Sequence, residues 1–196
     1  MLSQIRPAIV STLWFTALLG VLYPLGVTAV AENTMPNRAA GSMIKGPAGQ
    51  VVGSALIAQS FARPEYFHSR PSAAGKGYDA TSSGGSNLGP LHPDLAKREA
   101  GDADAIRKSD GATVVPADAV TTSGSGLDPD ISPANARMQA NRVALARGVD
   151  PAVVRTLVDR ATEQAFLGFI GQPRVNVLKL NMALDAEFPV RHAQTP

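Results

Sequence analysis

Two segments rich in serine and glycine, residues 82–90 and 123–129, have the residue types best suited to binding a ligand. The second segment leads into a predicted helix that begins at Ser132. Backbone N–H groups at such a junction can bind an anion, and Arg142 lies on the helix that follows. The structural alternative is that the glycines only provide positive φ angles for tight turns and close packing. The residues alone leave both interpretations open and favour the structural one.

The usual catalytic patterns are incomplete in this sequence. His68, His92 and His192 have neither i, i+4 spacing nor a carboxylate cluster at ligand spacing, so a metal site lacks support. The segment Gly84-Gly85-Ser86-Asn87-Leu88 departs from the G-x-S-x-G pattern of serine hydrolases at its fifth position. The sequence has no G-x-x-x-x-G-K-[ST] motif, which excludes a self-contained P-loop NTPase. We therefore predict no catalytic residue and no bound metal.

Composition and charge exclude further classes of function. A chain of 196 residues has room for about one domain. The net charge of +2, from 18 basic and 16 acidic side chains that are interspersed, is too small for a nucleic-acid-binding face. The absence of cysteine excludes disulfides, thiolate zinc sites and cysteine nucleophiles.

The N-terminal region predicts one membrane-spanning helix over residues 8–30. The run from Pro7 to Ala31 carries no charge, and about 20 helical residues are enough to cross a hydrocarbon core. The alternative is a cleaved signal peptide, because Ala29-Val30-Ala31 fits a cleavage site. The run is, however, longer than the usual apolar core of about 7 to 15 residues in a signal peptide. Three aromatic residues also suit a retained helix: Trp14, Phe15 and Tyr23.

Charge flanking the span predicts its orientation. Arg6 and the terminal amine precede the helix, whereas Glu32 follows it. Because positive charge favours the cytoplasmic side, we expect residues 1–7 in the cytoplasm and the rest of the chain in the periplasm. The protein would then be a single-pass protein of the cell inner membrane, in contact with membrane lipid.

Small residues on one face of the predicted span indicate a partner helix. Ala8, Thr12, Thr16 and Gly20 follow one another at a spacing of four, which allows close approach of a second helix. Small residues are also common in membrane helices generally, so a face without a partner is the alternative. Pro24 removes one backbone hydrogen bond and could kink the outer third of the helix.

The rest of the chain predicts a small, loop-rich α+β domain. With 18 glycines and 15 prolines, long stretches must be turns and loops. We expect a linker over residues 31–49, the soluble domain over 50–188 and a frayed tail over 189–196. Helices are predicted over residues 94–108, 133–147, 151 to about 168, and 181–187, and strands over 51–58, 113–115, 119–121 and 174–180. The long loop over 64–93 holds Tyr66, Phe67 and Tyr78, which favours an ordered, functional loop.

Five segments, spread through nearly the whole chain, carry a resemblance to a known family. They are Tyr66-Phe67-His68-Ser69-Arg70-Pro71-Ser72, Ser83-Gly84-Gly85-Ser86-Asn87-Leu88-Gly89-Pro90, Ser123-Gly124-Ser125-Gly126-Leu127-Asp128-Pro129, Gln139 with Arg142-Val143-Ala144 through Gly148, and Gly171-Gln172-Pro173-Arg174-Val175-Asn176-Val177-Leu178-Lys179-Leu180-Asn181. Their order and spacing, with the single N-terminal span, resemble the KdpC family. That family is the C subunit of the high-affinity potassium-transporting P-type ATPase complex. Asp130 and Gln172 are less typical of the family, in which His and Glu are frequent at these positions.

The resemblance implies a non-catalytic subunit of a complex that imports potassium. A separate subunit would hydrolyse ATP, and a channel-like subunit would conduct potassium. The family is also described as a catalytic chaperone that raises the ATP affinity of the hydrolysing subunit. Its proposed nucleotide contact would map to Ser123, Gly124, Ser125 and Gly126, with Gln139 and Arg142 nearby. The resemblance implies no firmly bound cofactor, and ATP would be met only through the hydrolysing subunit.

The chaperone role conflicts with the predicted orientation. A periplasmic domain does not meet cytosolic ATP, and neither Ser/Gly segment is followed by a phosphate-binding lysine. We therefore expect a domain that clamps the complex or shapes the potassium entrance, and acts on ATP turnover through the membrane-spanning subunits. Two other classes are less favoured. One is a membrane-anchored enzyme, for which the sequence shows no nucleophile or metal, and the other is a ligand-binding module formed by the two Ser/Gly segments.

Overall fold

A computed structural model describes residues 2–190 of the chain. The chain divides into two compact units, Met1–Ser54 and Ala55–Pro196. His192 and most of the predicted tail lie outside the described residues.

The N-terminal unit is dominated by one long helix, α1 (Ile5–Thr34), which follows a 3₁₀ turn at Leu2–Gln4. The helix is long and apolar enough to cross a membrane, and its residues from 5 to 30 are all exposed. Thirty helical residues span about 45 Å, more than the hydrocarbon core requires. The predicted apolar N-terminal helix is therefore confirmed.

The helix widens immediately before Pro24. Leu18–Leu22 forms a π-helical turn, and the Tyr23 N–H donates to the Leu18 carbonyl. Proline lacks an N–H and crowds the preceding turn, and a wide turn is one way in which a helix accommodates it. The structure thus has a π-helical turn before Pro24, and the kink expected in the outer third of the helix stays a prediction.

A short hairpin follows within the same unit. After α2 (Pro36–Ala39), strand β1 (Met43–Lys45) pairs antiparallel with β2 (Val51–Ser54), with an irregularity between Ile44 and Lys45. The segment 31–49, predicted as a linker, therefore contains the helical turn α2 and the strand β1. The predicted buried strand over 51–58 was wrong in length and burial, because β2 ends at Ser54, pairs only with β1 in a two-stranded sheet, and has Ser54 as the one buried residue of its four.

The second unit is a mixed helix and sheet domain. Its elements are α3 (Pro93–Asp110), α4 (Ala117–Val120), β3 (Asp130–Ile131), α5 (Pro133–Arg147), α6 (Pro151–Ala161), β4 (Thr162–Glu163), β5 (Arg174–Asn176) and α7 (Val177–Glu187). The three short strands form an antiparallel sheet in the order β3-β5-β4. This arrangement confirms the predicted α+β class.

The core of this domain lies among α5, α6, α7 and β5. Its fully buried side chains include Val143, Val154, Val158, Val175, Leu180 and Leu184, together with Phe67 from the long loop. Each such side chain contributes about 1.5–3 kcal/mol by leaving water. Phe67 therefore anchors the loop in the core, as the aromatic residues of the loop predicted.

Capping residues explain why the two central helices begin and end where they do. Ser132 Oγ accepts from the Asn135 N–H at 3.0 Å, and Asp150 Oδ1 accepts from the Ala152 N–H at 2.7 Å. Gly148 ends α5 with a φ of +66°, a conformation that glycine adopts without strain. The predicted bounds of α5 are confirmed.

Other predicted elements differ in the structure. Helix α6 ends at Ala161 rather than near Gly168, because Thr162 and Glu163 pair with β5. The predicted strand 174–180 stops at Asn176, whose side chain accepts from the Lys179 N–H and begins α7 four residues earlier than expected. The strands predicted over 113–115 and 119–121 are absent from the described part of the chain, where the helical turn α4 follows Pro116 instead.

Candidate functional site

The two Ser/Gly segments lie against each other. The Gly84 N–H and the Ser83 hydroxyl both donate to the Ser125 carbonyl at 2.9 Å. Within the second segment, the Gly126 N–H donates to the Ser123 carbonyl at 3.2 Å and closes a turn. The structure therefore brings together the two segments that the sequence predicted separately.

Gly126 lies at the closest approach between these loops. Its φ is +67°, and a Cβ there would lie 2.6 Å from the Gly84 carbonyl oxygen and 2.7 Å from the Ala74 nitrogen. The Ser72 hydroxyl donates to the Gly126 carbonyl at 2.6 Å. By contrast, a Cβ at Gly124 would meet no atom within 4 Å. Gly126 is thus required by packing, whereas Gly124 is not.

The serine hydroxyls of the turn also bond within the chain. The Ser125 hydroxyl accepts from the Leu127 N–H at 3.1 Å, and the Ser123 hydroxyl from the Asp128 N–H at 3.4 Å. Arg70 donates to Asp128 Oδ2 at 3.0 Å and lies within hydrogen-bond distance of the Thr121 and Thr122 carbonyls. The turn is therefore held by its own hydroxyls and by one arginine next to it.

Two buried amide side chains hold the loop segment 64–69 between α5 and α7. Asn181 accepts from the Phe67 N–H at 2.8 Å and donates to the Phe67 carbonyl at 2.9 Å. Gln139 accepts from the His68 N–H at 2.7 Å and donates to the His68 carbonyl at 3.1 Å. The backbone N–H and carbonyl groups of Phe67 and His68 are therefore hydrogen-bonded to side chains. A neighbouring β-strand would otherwise make these hydrogen bonds.

Arg142, the second α5 residue of the predicted site, is almost fully buried beside the same segment. Its guanidinium donates to the Pro64 carbonyl at 2.6 Å, the Tyr66 carbonyl at 2.9 Å and Gln139 Oε1 at 2.8 Å. It also forms an ion pair with Asp110 at the end of α3, and both side chains are at most 9% exposed. Arg142 therefore joins the loop, α3 and α5.

A second buried arginine, Arg147, holds the start of the same segment. Its guanidinium donates to the Glu65 carbonyl at 2.8 Å, to the Phe188 carbonyl at 2.7 Å and to Asp185 Oδ1 at 2.9 Å. It also lies over the Tyr66 ring, 5.0 Å from the ring centroid. Burial of this charge is offset by three hydrogen bonds and a cation–π contact.

The six predicted site residues thus fall into two groups of contacts. Ser123, Gly124, Ser125 and Gly126 belong to the turn that packs on residues 72–85. Gln139 and Arg142 bond to residues 64–68 and to Asp110. Within residues 2–190, no hydrogen bond in the structure joins the two groups directly.

A cavity of about 280 Å³ lies beside the segment 64–69 and is lined in part by His68, Tyr78, Asp102 and Met138. Burial lowers the pKa of the His68 imidazole from its ordinary value, and the positive charge of Arg142 lowers it further. Burial also raises the pKa of the Tyr78 phenol. These shifts favour the neutral forms of the His68 and Tyr78 side chains in the cavity wall.

Charged side chains line the edge of the three-stranded sheet. Hydrogen bonds from Lys179 and Arg174, together with their positive charges, lower the pKa of the Glu163 carboxyl. Burial raises the pKa of Asp130 despite a hydrogen bond from Asn176 and the charge of Arg174. The described residues contain no group of three His, Cys, Asp or Glu side chains that could hold a metal ion.

The sequence interpretation missed one prominent surface. Residues 166–168, placed at the end of a helix by the prediction, instead belong with Phe169 and Ile170 to the turn between β4 and β5. Phe166, Leu167, Phe169 and Ile170 are exposed there by 69%, 70%, 75% and 51%. The run of residues 164–173 without charge was the available signal.

Comparison with known proteins assigns the family. The family described as "KdpC: K+-transporting ATPase, c chain" matches residues 5–186. The chain belongs to the KdpC family. The match to KdpC includes α1 and nearly all of the second unit, so the apolar N-terminal helix is part of the matched sequence.

Relatives within the KdpC family match over essentially their full length. A protein of Caulobacter sp. (strain K31) is 62% identical over 194 residues, which are 99% of this chain and 98% of the relative. A protein of Beijerinckia indica is 57% identical over 198 residues and the whole of both chains. A protein of Rhodospirillum rubrum is 50% identical over 98% of this chain and the whole of the relative. Each carries the name "Potassium-transporting ATPase KdpC subunit".

Proposed function

We propose that the chain is a non-catalytic accessory subunit of an ATP-driven, high-affinity potassium import complex. Its role is to assemble and stabilise the complex and to couple ATP hydrolysis to potassium transport. The observation that carries this proposal is membership of the KdpC family over residues 5–186. The partners are the ATP-hydrolysing subunit and the channel-like, potassium-conducting subunit.

The arrangement of polar side chains supports a structural rather than a catalytic role. Gln139, Arg142, Arg147 and Asn181 are all used to hold the chain's own backbone. A catalytic group needs polar atoms that face a substrate, whereas these atoms satisfy buried peptide groups. The domain is thus suited to presenting a fixed surface to other subunits.

The membrane helix would place the domain next to those subunits. In this proposal α1 crosses the inner membrane once, with the N-terminus in the cytoplasm and residues from 55 onward in the periplasm. Arg6 in the first turn of α1 and Glu32 in its last turn support this orientation. A periplasmic domain would influence ATP turnover through the membrane-spanning subunits.

The alternative function is a catalytic chaperone that contacts ATP and raises the nucleotide affinity of the hydrolysing subunit. The exposed residues Gly124 and Ser125 are where such a contact would occur. The test is to measure the KM for ATP of assembled complexes that contain either the Ser125→Ala variant or the Gly124→Ala variant of this chain. A large rise in KM at unchanged kcat would favour the chaperone, and an unchanged KM would favour the accessory role.

Assembly is tested by purifying a tagged ATP-hydrolysing subunit in mild detergent, with and without this chain. We expect the channel-like subunit and potassium-stimulated ATPase activity to be recovered only when the chain is present. Full recovery of both in its absence would contradict the assembly role.

The small face of α1 gives a second test. The proposed packing face consists of Ala8, Thr12, Thr16 and Gly20. A Cβ at Gly20 would lie 3.9 Å from Thr16 Cγ2, so these two residues are neighbours on the helix surface. We expect Gly20→Leu to reduce recovery of the chain with the complex, because the larger side chain prevents close helix approach. Val10→Leu, on the opposite face, serves as the control, and equal recovery of both variants would contradict a helix contact.

A further inference from the structure

The turn between β4 and β5 exposes a continuous apolar surface, which we call the hairpin tip and define as residues 166–170. Its four large side chains are at least half exposed, and Phe169 is exposed by 75%. Exposed apolar residues that stand alone are ordinary in proteins, whereas a contiguous group marks an interaction surface. Two phenylalanines in such a group are typical of residues that carry binding energy.

The backbone of the hairpin tip is fixed by its own hydrogen bonds. The Phe166 N–H donates to the Ile170 carbonyl and the Ile170 N–H to the Phe166 carbonyl, both at 2.9 Å. The Gly168 N–H donates to the Ala165 carbonyl at 2.9 Å, and Leu167 and Gly168 both have positive φ angles. Because these groups are already satisfied, the tip can enter an apolar environment without leaving them unpaired, and with little ordering cost.

Charges around the base of the tip are paired with one another. Glu163 forms ion pairs with Arg174 and Lys179 at 3.0 and 3.2 Å. Arg174 also pairs with Asp130 at 3.2 Å. This rim holds two acidic and two basic residues, so it lacks the basic excess that draws a loop to anionic lipid headgroups. A polar, charge-balanced rim around an apolar centre is the pattern of a protein interface.

We propose that the hairpin tip is an anchor that inserts into an apolar pocket on another subunit of the same complex. The inference rests on the proposed function, since that function supplies a second protein in constant contact with the chain. The phenylalanine rings fill the pocket, and the paired charges of the rim surround it and exclude water. The tip thereby fixes the domain to its partner in addition to any contact made by α1.

Protection of an introduced thiol tests this anchor in the intact protein. The chain has no cysteine, so Phe169→Cys provides a single reactive site. We expect assembly to slow its reaction with a maleimide at least about tenfold relative to the chain alone in a lipid nanodisc. Leu145→Cys is the matched control, since Leu145 is an exposed apolar residue elsewhere on the domain, 85% exposed on α5. Its rate should change little.

Three outcomes would overturn the proposal. Equal labelling of Phe169→Cys in the complex and in the chain alone would show that no subunit covers the tip. Protection already present in the chain alone in a nanodisc would show that lipid covers it. Equal protection of both cysteines would indicate general shielding. A chain that assembles but leaves the tip accessible contradicts only this inference, whereas a wild-type chain that fails to assemble contradicts the proposed function.

A second measurement examines the binding contribution. We expect the double variant Phe166→Ser, Phe169→Ser to leave the immobilised complex about tenfold faster or more when excess unlabelled wild-type chain is added. Because both rings are exposed in the isolated chain, its thermal unfolding should change little, which separates lost binding from lost folding. An unchanged dissociation rate would overturn the anchor role.

Discussion

At the scale of single residues, two buried side-chain amides make the hydrogen bonds that a paired β-strand would otherwise make with the backbone of the segment 64–69. Asn181 is 2% exposed, and its amide makes both hydrogen bonds of the Phe67 backbone. Gln139 does the same for His68 from the other helix. This pairing explains how a long loop without regular structure keeps Phe67 in the core.

Replacing Asn181 by alanine should therefore destabilise the domain strongly. Asn181→Ala leaves one N–H and one carbonyl buried without a partner, at a cost of about 2–4 kcal/mol. Thermal unfolding of the purified chain in mild detergent measures the change. Asn141→Ala is the matched control, since Asn141 is exposed and bonds only to the exposed Arg155. A similar loss of stability in both variants would contradict the role of the buried amide.

His68 should make the stability of the domain depend on pH. Because its pKa in the folded chain lies below the ordinary 6.5, the unfolded chain binds the extra proton first as pH falls. The contribution of His68 is thus fully present above about pH 6.5 and is lost as pH falls through the folded pKa. Urea unfolding between pH 7.5 and 5 should show decreasing stability, and His68→Gln should flatten that decrease. An equally steep decrease in the His68→Gln variant would contradict this role of His68.

At the scale of elements, local signals predicted the helices that carry their own caps. Ser132-Pro133 and Gly148 define α5, and Asp150-Pro151 defines the start of α6. These signals depend on residues within one turn of the helix end, so they can be read directly from the sequence.

Elements that depend on distant partners were not predictable in the same way. Strand β5 is three residues long and exists because β3 and β4 pair with it, from about 45 and 12 residues away. The alternating pattern of residues 174–180 suggested a longer strand, whereas Asn176 begins a helix. The hydrogen bonds of Gln139 and Asn181 with the loop could not be predicted for the same reason. They join residues that are separated in the sequence by 71 and 114 positions, respectively.

Because the two Ser/Gly loops pack closely at Gly126, alanine substitutions at Gly126 and Gly124 should have different effects on the stability of the domain. Gly126→Ala should destabilise the domain by about 2 kcal/mol or more, because the new methyl group meets two backbone atoms at a positive φ. Gly124→Ala, two residues away, should change stability by less than about 0.5 kcal/mol, because nothing lies within 4 Å. Thermal unfolding of both variants provides the measurement. Equal effects would show that the loops do not cross as closely as described.

At the scale of the whole molecule, the chain combines one apolar helix with a domain whose buried polar side chains hold its own backbone. Gln139, Asn181, Arg142 and Arg147 fix the loop, and the Ser/Gly segments fix each other. These side chains are therefore occupied within the chain, whereas the large apolar side chains of the hairpin tip are exposed. This distribution accords with a subunit that acts by binding other subunits.

The predicted orientation is tested most directly with a pair of introduced cysteines on either side of α1. Ser125→Cys lies on an exposed turn of the domain and Ser3→Cys precedes the helix, and the chain has no cysteine that would add background. We expect a membrane-impermeant maleimide to label Ser125→Cys in intact cells and Ser3→Cys only after the inner membrane is permeabilised, because Arg6 and the terminal amine favour the cytoplasm. The reverse pattern, measured with the complex dissociated to exclude burial, would put the domain beside cytosolic ATP. It would thereby favour the chaperone role over the accessory one.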